Sequence, residues 1–324
     1  MAGGPRVGID VGGTKCLAVA LAPGAPDDEL VVAASARRPT PQDPDELLDV
    51  LAELVARLAD DVGTPASVGV GAPGLISLDG VVRSSPNMPE VVELDLAGRL
   101  AARLRRHVVV GNDATCAALA EWRVGAARGY DDVVMVTLGT GIGGGIVAGG
   151  RLVLGHNGFA GEIGHVVIDP QGPRCPCGRR GCWERFASGS GLGHLAREAA
   201  ARGELPGVLA LADGDVEQVR GEHVQAAAEQ GDPRALELVE EFARWVAFGL
   251  ANLANVLDPA LFVIGGGLAQ GAHVYLEPIQ RAFGPLLYAS QRRPHPPVRF
   301  AELGEQAGAI GAALLPDATT RRPA

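Results

Sequence analysis

Lysine is all but missing: of 28 basic side chains, Lys15 alone is a lysine and the remainder are arginine. Basic charge is short overall. A formal net charge of −10 provides no global field to draw in nucleic acid or an anionic membrane, so a phosphate ligand has to be met by local donors. No apolar run approaches the roughly 20 residues needed to span a bilayer. The amino terminus carries no basic stretch followed by an apolar export segment. A cytoplasmic protein with small-molecule partners is expected, without nucleic acid or membrane. Cysteine is sparse too, and five residues, three of them crowded at Cys175, Cys177 and Cys182, make an odd disulfide framework.

What is present is a chain of 324 residues, 47% hydrophobic and only 20% charged, long enough to bury the core of two lobes. Arg6 to Val11 and Cys16 to Leu21 are short apolar, β-compatible runs around Gly12-Gly13-Thr14, which predicts a hairpin. The device recurs where Val133 to Leu138 leads through Gly139-Thr140-Gly141 into Gly143 to Val147, as in a duplicated unit. Asp43 caps a helix with Pro44 in its first turn and Leu47, Leu48, Leu51, Leu54, Val55 and Leu58 on one stripe. Arg106 to Val110 is a strand whose exit, Gly111-Asn112-Asp113, caps a helix through Trp122, so Asp113 sits at a strand-to-helix corner. Asp232-Pro233 opens a long helix burying Leu236, Val239, Phe242, Val246 and Leu250. Leu261 to Ile264 is a buried strand, Gly308 to Leu315 a closing helix, and Asp317 to Ala324 a frayed tail. Strands alternating with helices predict an α/β protein whose ligand lies where strand ends converge.

Asp10 ends a strand just before a turn with almost no side chains, so backbone N–H groups can approach an anion and Asp10 can hold Mg²⁺. An ordinary hairpin with a solvated aspartate is the plain alternative. Gly139 to Gly144 also satisfies the G-x-G-x-x-G dinucleotide pattern, but that motif needs a helix to begin inside the loop, and Gly145-Ile146-Val147 has the composition of a returning strand. Gly265-Gly266-Gly267 is a third glycine corner, able to lie against adenine or ribose or to serve as a packing turn.

Cys175-x-Cys177-x4-Cys182 offers three thiolates in one short loop, and His165 is a natural fourth ligand for tetrahedral Zn²⁺ at a closed structural site. Glu162 and Glu184 flank the same knot and become fixed acceptors for sugar hydroxyls once the loop is ordered.

Taken together, Asp10 to Lys15, Gly71-Ala72-Pro73-Gly74, Gly111 to Ala114, Gly139 to Gly145, Gly161 to His165 and Cys175 to Glu184 resemble the ROK family of sugar kinases, and its bacterial glucokinases in particular. The last two segments are specific to that family; the glycine loops are shared with the wider actin and hexokinase superfamily. The resemblance implies two actin-like, ribonuclease H-like lobes with an interlobe cleft, divided here as residues 1–113 and 114–307 with a closing helix near 308–316 returning to the first. It implies ATP with Mg²⁺ held by Asp10, Gly12, Gly13, Thr14, Lys15, Gly139, Thr140, Gly141 and the Gly265–Gly267 corner. It implies a hexose, glucose first, contacted by Asn87, Asn112, Asp113, Glu162, His165 and Glu184, with Asp113 as general base and His165 shared with zinc. A homodimer or homotetramer is implied as well. Pro89-Glu90-Val91 departs from the family, many members of which have glycine and tryptophan after the proline, so mannose, fructose and N-acetylhexosamines stay open as acceptors. Only nine residues precede Asp10, which leaves no expected room for the helix-turn-helix of family repressors. The functional rivals are a nicotinamide-dependent oxidoreductase and a non-catalytic sugar sensor.

Overall fold

The computed structural model describes residues 4–24, 30–86 and 88–319. The first glycine turn folds as a hairpin, β1 (Arg6–Val11) returning as the antiparallel β2 (Lys15–Leu21) with Val11 opposite Cys16. The chain adds β3 (Val32–Pro39) and then α1 (Pro44–Val62), whose cap is the predicted Asp43, its carboxylate accepting from the N–H groups of Asp45 and Glu46. All six apolar residues of the predicted stripe are buried in α1. There follow β4 (Ser67–Ala72), the short β5 (Leu75–Ile76), β6 (Val81–Ser84) and β7 (Leu94–Asp95), α2 (Leu96–Leu104), β8 (Val108–Asn112) and α3 (Asp113–Val124). The strand of β8 starts two residues later than the sequence suggests and runs on through Asn112, which is itself the helix cap.

The second glycine turn repeats the first. After β9 (Val133–Leu138) the chain returns as β10 (Ile142–Ala148), a strand where a dinucleotide fingerprint would need a helix, which removes the oxidoreductase reading. Next come β11 (Arg151–Leu152), α4 (Glu184–Ala187), α5 (Gly189–Ala201), α6 (Pro206–Leu211), α7 (Gly221–Glu229), α8 (Pro233–Leu257), β12 (Leu261–Gly265), α9 (Ala272–Leu286), β13 (Val298–Phe300) and α10 (Ala307–Thr319). Leu236, expected on the buried side of α8, is 43% exposed. Ala235 and Leu238 point inward instead, because the first turn packs through the neighbouring phase of the stripe. Residues 317–319, expected in a frayed tail, continue α10, whereas the rest of that tail lies outside the described residues.

Strand order is β3-β2-β1-β4-β8 in one sheet and β11-β10-β9-β12-β13 in the other, the same layout twice, as the recurring glycine turn predicts; β5-β6-β7 form a small third sheet. In both large sheets a hairpin strand is followed by parallel neighbours: β1 with β4 and β4 with β8, β9 with β12 and β12 with β13. Chain contacts divide the protein into one unit of residues 1–131, 145–161 and 302–324 and another of 132–144 and 162–301, the boundary passing within β10. In this division α3 falls in the first unit together with α10, against which it packs. Close approach requires glycine at that packing. A Cβ on Gly8 would strike the Ala309 carbonyl of α10, and one on Gly311 the Cys116 carbonyl of α3. Among the described residues no helix is long and apolar enough to cross a membrane.

Candidate active site and metal centre

In the first unit the carboxyl ends of three parallel strands bring the expected residues into line. Asp10 of β1 pairs with Gly71 of β4, and Gly71 and Ala72 pair with Gly111 and Asn112 of β8, immediately before Asp113. Such ends are where open α/β sheets place their ligands. Asp113 opens α3 and its Oδ1 accepts the Ala114 N–H at 2.8 Å. Burial raises its carboxyl above the usual aspartate range, and that N–H pulls the other way. Asn112 is committed at both ends of its amide: Oδ1 accepts the Thr115 N–H at 3.0 Å and Nδ2 donates to the Gly74 carbonyl at 3.2 Å. One Nδ2 hydrogen is left for a ligand.

Asp10 is pushed up to about 7, first by burial and then by the Asp113 charge, with Lys15 opposing. Two half-buried acids close enough to repel, with Lys15 the one opposing charge on Asp10, suit a divalent cation. This has a consequence for the ligand-free protein. The folded state keeps a proton on Asp10 up to about pH 7, whereas the unfolded chain releases it near 3.9, so stability falls as pH rises between those values and levels off above them. Chemical melts from pH 5 to 8 should display that slope, and Asp10→Asn should flatten it; equal slopes would contradict the assignment.

The turn that follows is held from below. Gly12 N–H donates to the Lys15 carbonyl at 2.9 Å and Thr40 Oγ1 donates to the Gly12 carbonyl at 2.7 Å, leaving Gly13, Thr14 and Lys15 exposed. Lys15 Nζ is paired with Glu305 at 2.7 Å, and Arg37 binds the other oxygen of the same carboxylate.

The second unit joins two of the three glycine corners. Gly265 pairs with Thr137 across the parallel β9 and β12, and Gly266, at φ 82°, lies against Leu138 where a Cβ would meet the carbonyl at 2.6 Å. The Gly139 loop therefore runs directly beside Gly265–Gly267. Within it the Gly139 N–H donates to the Gly141 carbonyl at 3.0 Å. The first N–H of α5, from Gly189, donates to the Gly139 carbonyl at 2.7 Å. Glu184 ties this loop to the cysteine knot: Oε2 accepts the Ile142 N–H at 3.0 Å, while Oε1 lies 4.0 Å from Cys175 Sγ. A Cβ on Gly141 would strike Glu184 Oε2, the free end of a flexible side chain rather than backbone. Gly141→Ala is accordingly expected to leave the melting temperature near wild type while displacing that carboxylate, and if Glu184 holds the acceptor, as the sequence leads one to expect, KM for it rises about tenfold. An unchanged KM would detach Glu184 from acceptor binding.

His165, Cys175, Cys177 and Cys182 form one group whose donor atoms all lie within 4.8 Å of one another. Cys177 and Cys182 sulfurs are 3.6 Å apart, and Cys175 Sγ is 3.8 Å from His165 Nδ1. Zn–S bonds of about 2.3 Å at tetrahedral angles separate donors by roughly 3.8 Å, so the set fits Zn²⁺. Loop geometry supports it: the Cys175 N–H donates to Arg179 O at 2.8 Å, Gly178 takes φ 91°, and the Arg179 guanidinium donates to the His165 carbonyl at 3.0 Å. With Nδ1 turned to the thiolates, His165 Nε2 faces the other way, 4.0 Å from Glu162 Oε2. One imidazole can thus serve the metal with one nitrogen and a hydroxyl with the other.

The model of the ROK family matches residues 6–318. The chain belongs to the ROK family. Its relatives include the glucokinase of Streptomyces coelicolor, 39% identical over 96% of this chain and 97% of that one. The N-acetyl-D-glucosamine kinase of Pectobacterium atrosepticum is 36% identical over 95% and 97%. Among solved structures, a ROK family glucokinase from Streptomyces griseus in complex with glucose and AMPPNP superposes with a TM-score of 0.84 at 38% identity, covering 96% of this chain and 99% of that one.

Within this ROK chain, Asp10, Asn112 and Asp113 converge in the first unit, and Glu162, His165, Glu184, the cysteines and two glycine corners converge in the second. Asn87 lies outside the described residues. Sequence reasoning passed over Gly189 at the Gly139 loop, although Ser188-x-x-Gly191 carried a cap signal, realised as the Gly191 N–H donating to Ser188 Oγ at 3.0 Å. It also missed Glu305 on Lys15, and Gly308, where a Cβ would come within 2.6 Å of Asp10 Cγ.

Proposed function

We propose that the chain is an ATP-dependent hexose kinase that converts glucose to glucose 6-phosphate, with Asp113 as general base. The observation that carries this reading is the pair Asp10 and Asp113 at the ends of β1 and β8, either side of β4, one half-buried acid suited to a cation and the other placed at a helix start, in a chain whose relatives include glucokinases.

Phosphoryl transfer passes through a loose transition state, so alignment of the acceptor oxygen and neutralisation of charge on the transferring oxygens count for more than basicity. Asp113 accepts a hydrogen bond from the acceptor hydroxyl, orients it and takes its proton late in transfer. The upward push of burial on its carboxyl matches that late role. Asp10 would hold Mg²⁺, which when bound screens the terminal phosphates. Gly13 and Thr14 offer backbone N–H groups to the phosphates, the Gly12 N–H closes the turn that presents them, and Lys15 exchanges Glu305 for the phosphates. Gly139, Thr140 and Gly141 supply the second phosphate turn, and Gly265, Gly266 and Gly267 give adenosine a surface without side chains. Glu162, His165 Nε2 and Glu184 accept from or donate to hexose hydroxyls, and Asn112 adds an amide contact. His165, Cys175, Cys177 and Cys182 would hold Zn²⁺, which supplies structural rigidity to the loop bearing those acceptors. Thiols set as metal donors suit a reducing cytoplasm.

A coupled ADP-release assay with glucose, mannose, fructose and N-acetylglucosamine tests the reading, with glucose expected to give the highest kcat/KM. Likeness to the Pectobacterium kinase favours N-acetylglucosamine as the second candidate. Sugar binding without ADP release would leave a sensor.

A further inference from the structure

One buried acid takes no part in the chemistry above. Glu121, on α3 two turns beyond Asp113, is 1% exposed and faces no cation in its hydrogen bonding; its carboxyl is filled by backbone amides instead. Oε1 accepts from the N–H groups of Glu302 at 3.0 Å and Leu303 at 2.8 Å, and Oε2 accepts from Ala126 at 2.9 Å. Glu302 is where the chain re-enters the first unit. Trp122, the next residue, donates from Nε1 to the Tyr130 carbonyl at 2.8 Å, beside the point at which the chain leaves that unit after Asp131. The end of α3 therefore fastens both of these passages.

The residues directly after Leu303 are a single 3-10 turn, Gly304–Gln306, and then α10. That turn carries Glu305, the partner of Lys15, and the second residue of α10 is Gly308, whose backbone abuts the Asp10 carboxyl. A shift at Leu303 is carried within five residues to both phosphate-side groups, because neither a 3-10 turn nor a helix start stretches. Burial of a carboxyl is costly unless it is fully hydrogen-bonded, and removing it leaves three buried-side amides without this acceptor.

We propose that Glu121 is a positioning residue for phosphoryl transfer: by fixing residues 302–303 to the helix that bears Asp113, it sets Glu305 against Lys15 and the start of α10 against Asp10. The proposal rests on the assignment of Lys15 and Asp10 to the phosphates and Mg²⁺ of ATP. Its signature is selective. ATP-side kinetics suffer, whereas binding of glucose does not.

The test uses the full chain with Glu121→Ala, Glu121→Gln and Lys15→Ala, measuring kcat and KM for MgATP per folded molecule, the glucose Kd by calorimetry, and thermal melting. Glu121→Ala is expected to lower kcat/KM for ATP about tenfold or more, the effect of losing one or two charge-assisted hydrogen bonds, with the glucose Kd within about twofold of wild type. Glu121→Gln should lie between, since its carbonyl oxygen keeps the 3.0 Å and 2.8 Å bonds from the Glu302 and Leu303 amides, while the Ala126 contact and the longer 3.2 Å contact of Glu302 to the other oxygen are lost. If Glu121→Ala does not fold, the glutamine variant decides alone. A lower melting temperature with unchanged ATP kinetics would make Glu121 merely structural and overturn the proposal, as would a glucose Kd that weakens in step with kcat/KM. Lys15→Ala separates the two layers: a raised KM for ATP there with unaffected Glu121 variants sinks the positioning role alone. An unchanged KM in Lys15→Ala sinks the phosphate assignment beneath it.

Discussion

Asp113→Asn is expected to leave a folded protein that binds glucose and loses turnover by about 10²- to 10⁴-fold, the usual worth of a positioned general base. The fold should survive because the hydrogen bond that the carboxyl accepts from the Ala114 N–H, to Oδ1 at 2.8 Å, is reproduced by an amide oxygen in the same place. Burial already disfavours charge at this position, so a neutral amide removes a desolvation cost and also a repulsion that raises Asp10. Melting temperature at pH 7 is therefore expected at or slightly above the wild-type value. The amide can still hold a sugar hydroxyl but cannot take its proton. Calorimetry with glucose and a coupled ADP assay separate these effects, and near-normal kcat in the variant would refute the role of Asp113.

Loss of the metal loop is the second large effect. Cys177 is the exposed member of the cluster, yet its sulfur lies 3.6 Å from Cys182 Sγ and completes the set of four. Without it, three donors and an open position remain, and a structural zinc site depends on closure. Cys177→Ala should lower bound zinc from about one per chain to near zero by elemental analysis. Activity should fall with it, since the Cys175–Cys182 loop precedes Glu184 directly and the proposed function gives His165 to both the metal and the hexose. The wild-type protein stripped with a chelator should lose activity in parallel and regain it with zinc. A metal-free variant of normal activity would detach the loop from catalysis.

How much was legible in the chain depends on the range of the interaction. Both glycine hairpins were, because a strand, a side-chain-poor turn and a returning strand are written within about twenty residues, and β10 followed its β-compatible composition rather than the formal dinucleotide pattern. The cap and stripe of α1 were legible for the same reason. The cysteine knot was legible because its donors sit within one loop and its neighbourhood, so spacing alone implies convergence. Glu305 on Lys15 was not, since the two are 290 residues apart, nor was Glu121 on Glu302 at a separation of 181. No periodicity or local motif encodes such a pair; only the return of α10 to the first sheet creates it. Leu236 was misjudged for a smaller reason, as a stripe of period 3.6 leaves the phase of the first turn loosely defined.

The most direct test is ³¹P nuclear magnetic resonance of the purified protein with Mg²⁺, ATP and glucose. A sugar phosphomonoester should grow one-for-one with ADP, its carbon coupling marking attachment at the 6-position, and no inorganic phosphate should accumulate. Unchanged ATP, or release of inorganic phosphate without a sugar ester, would contradict hexose phosphorylation by this chain.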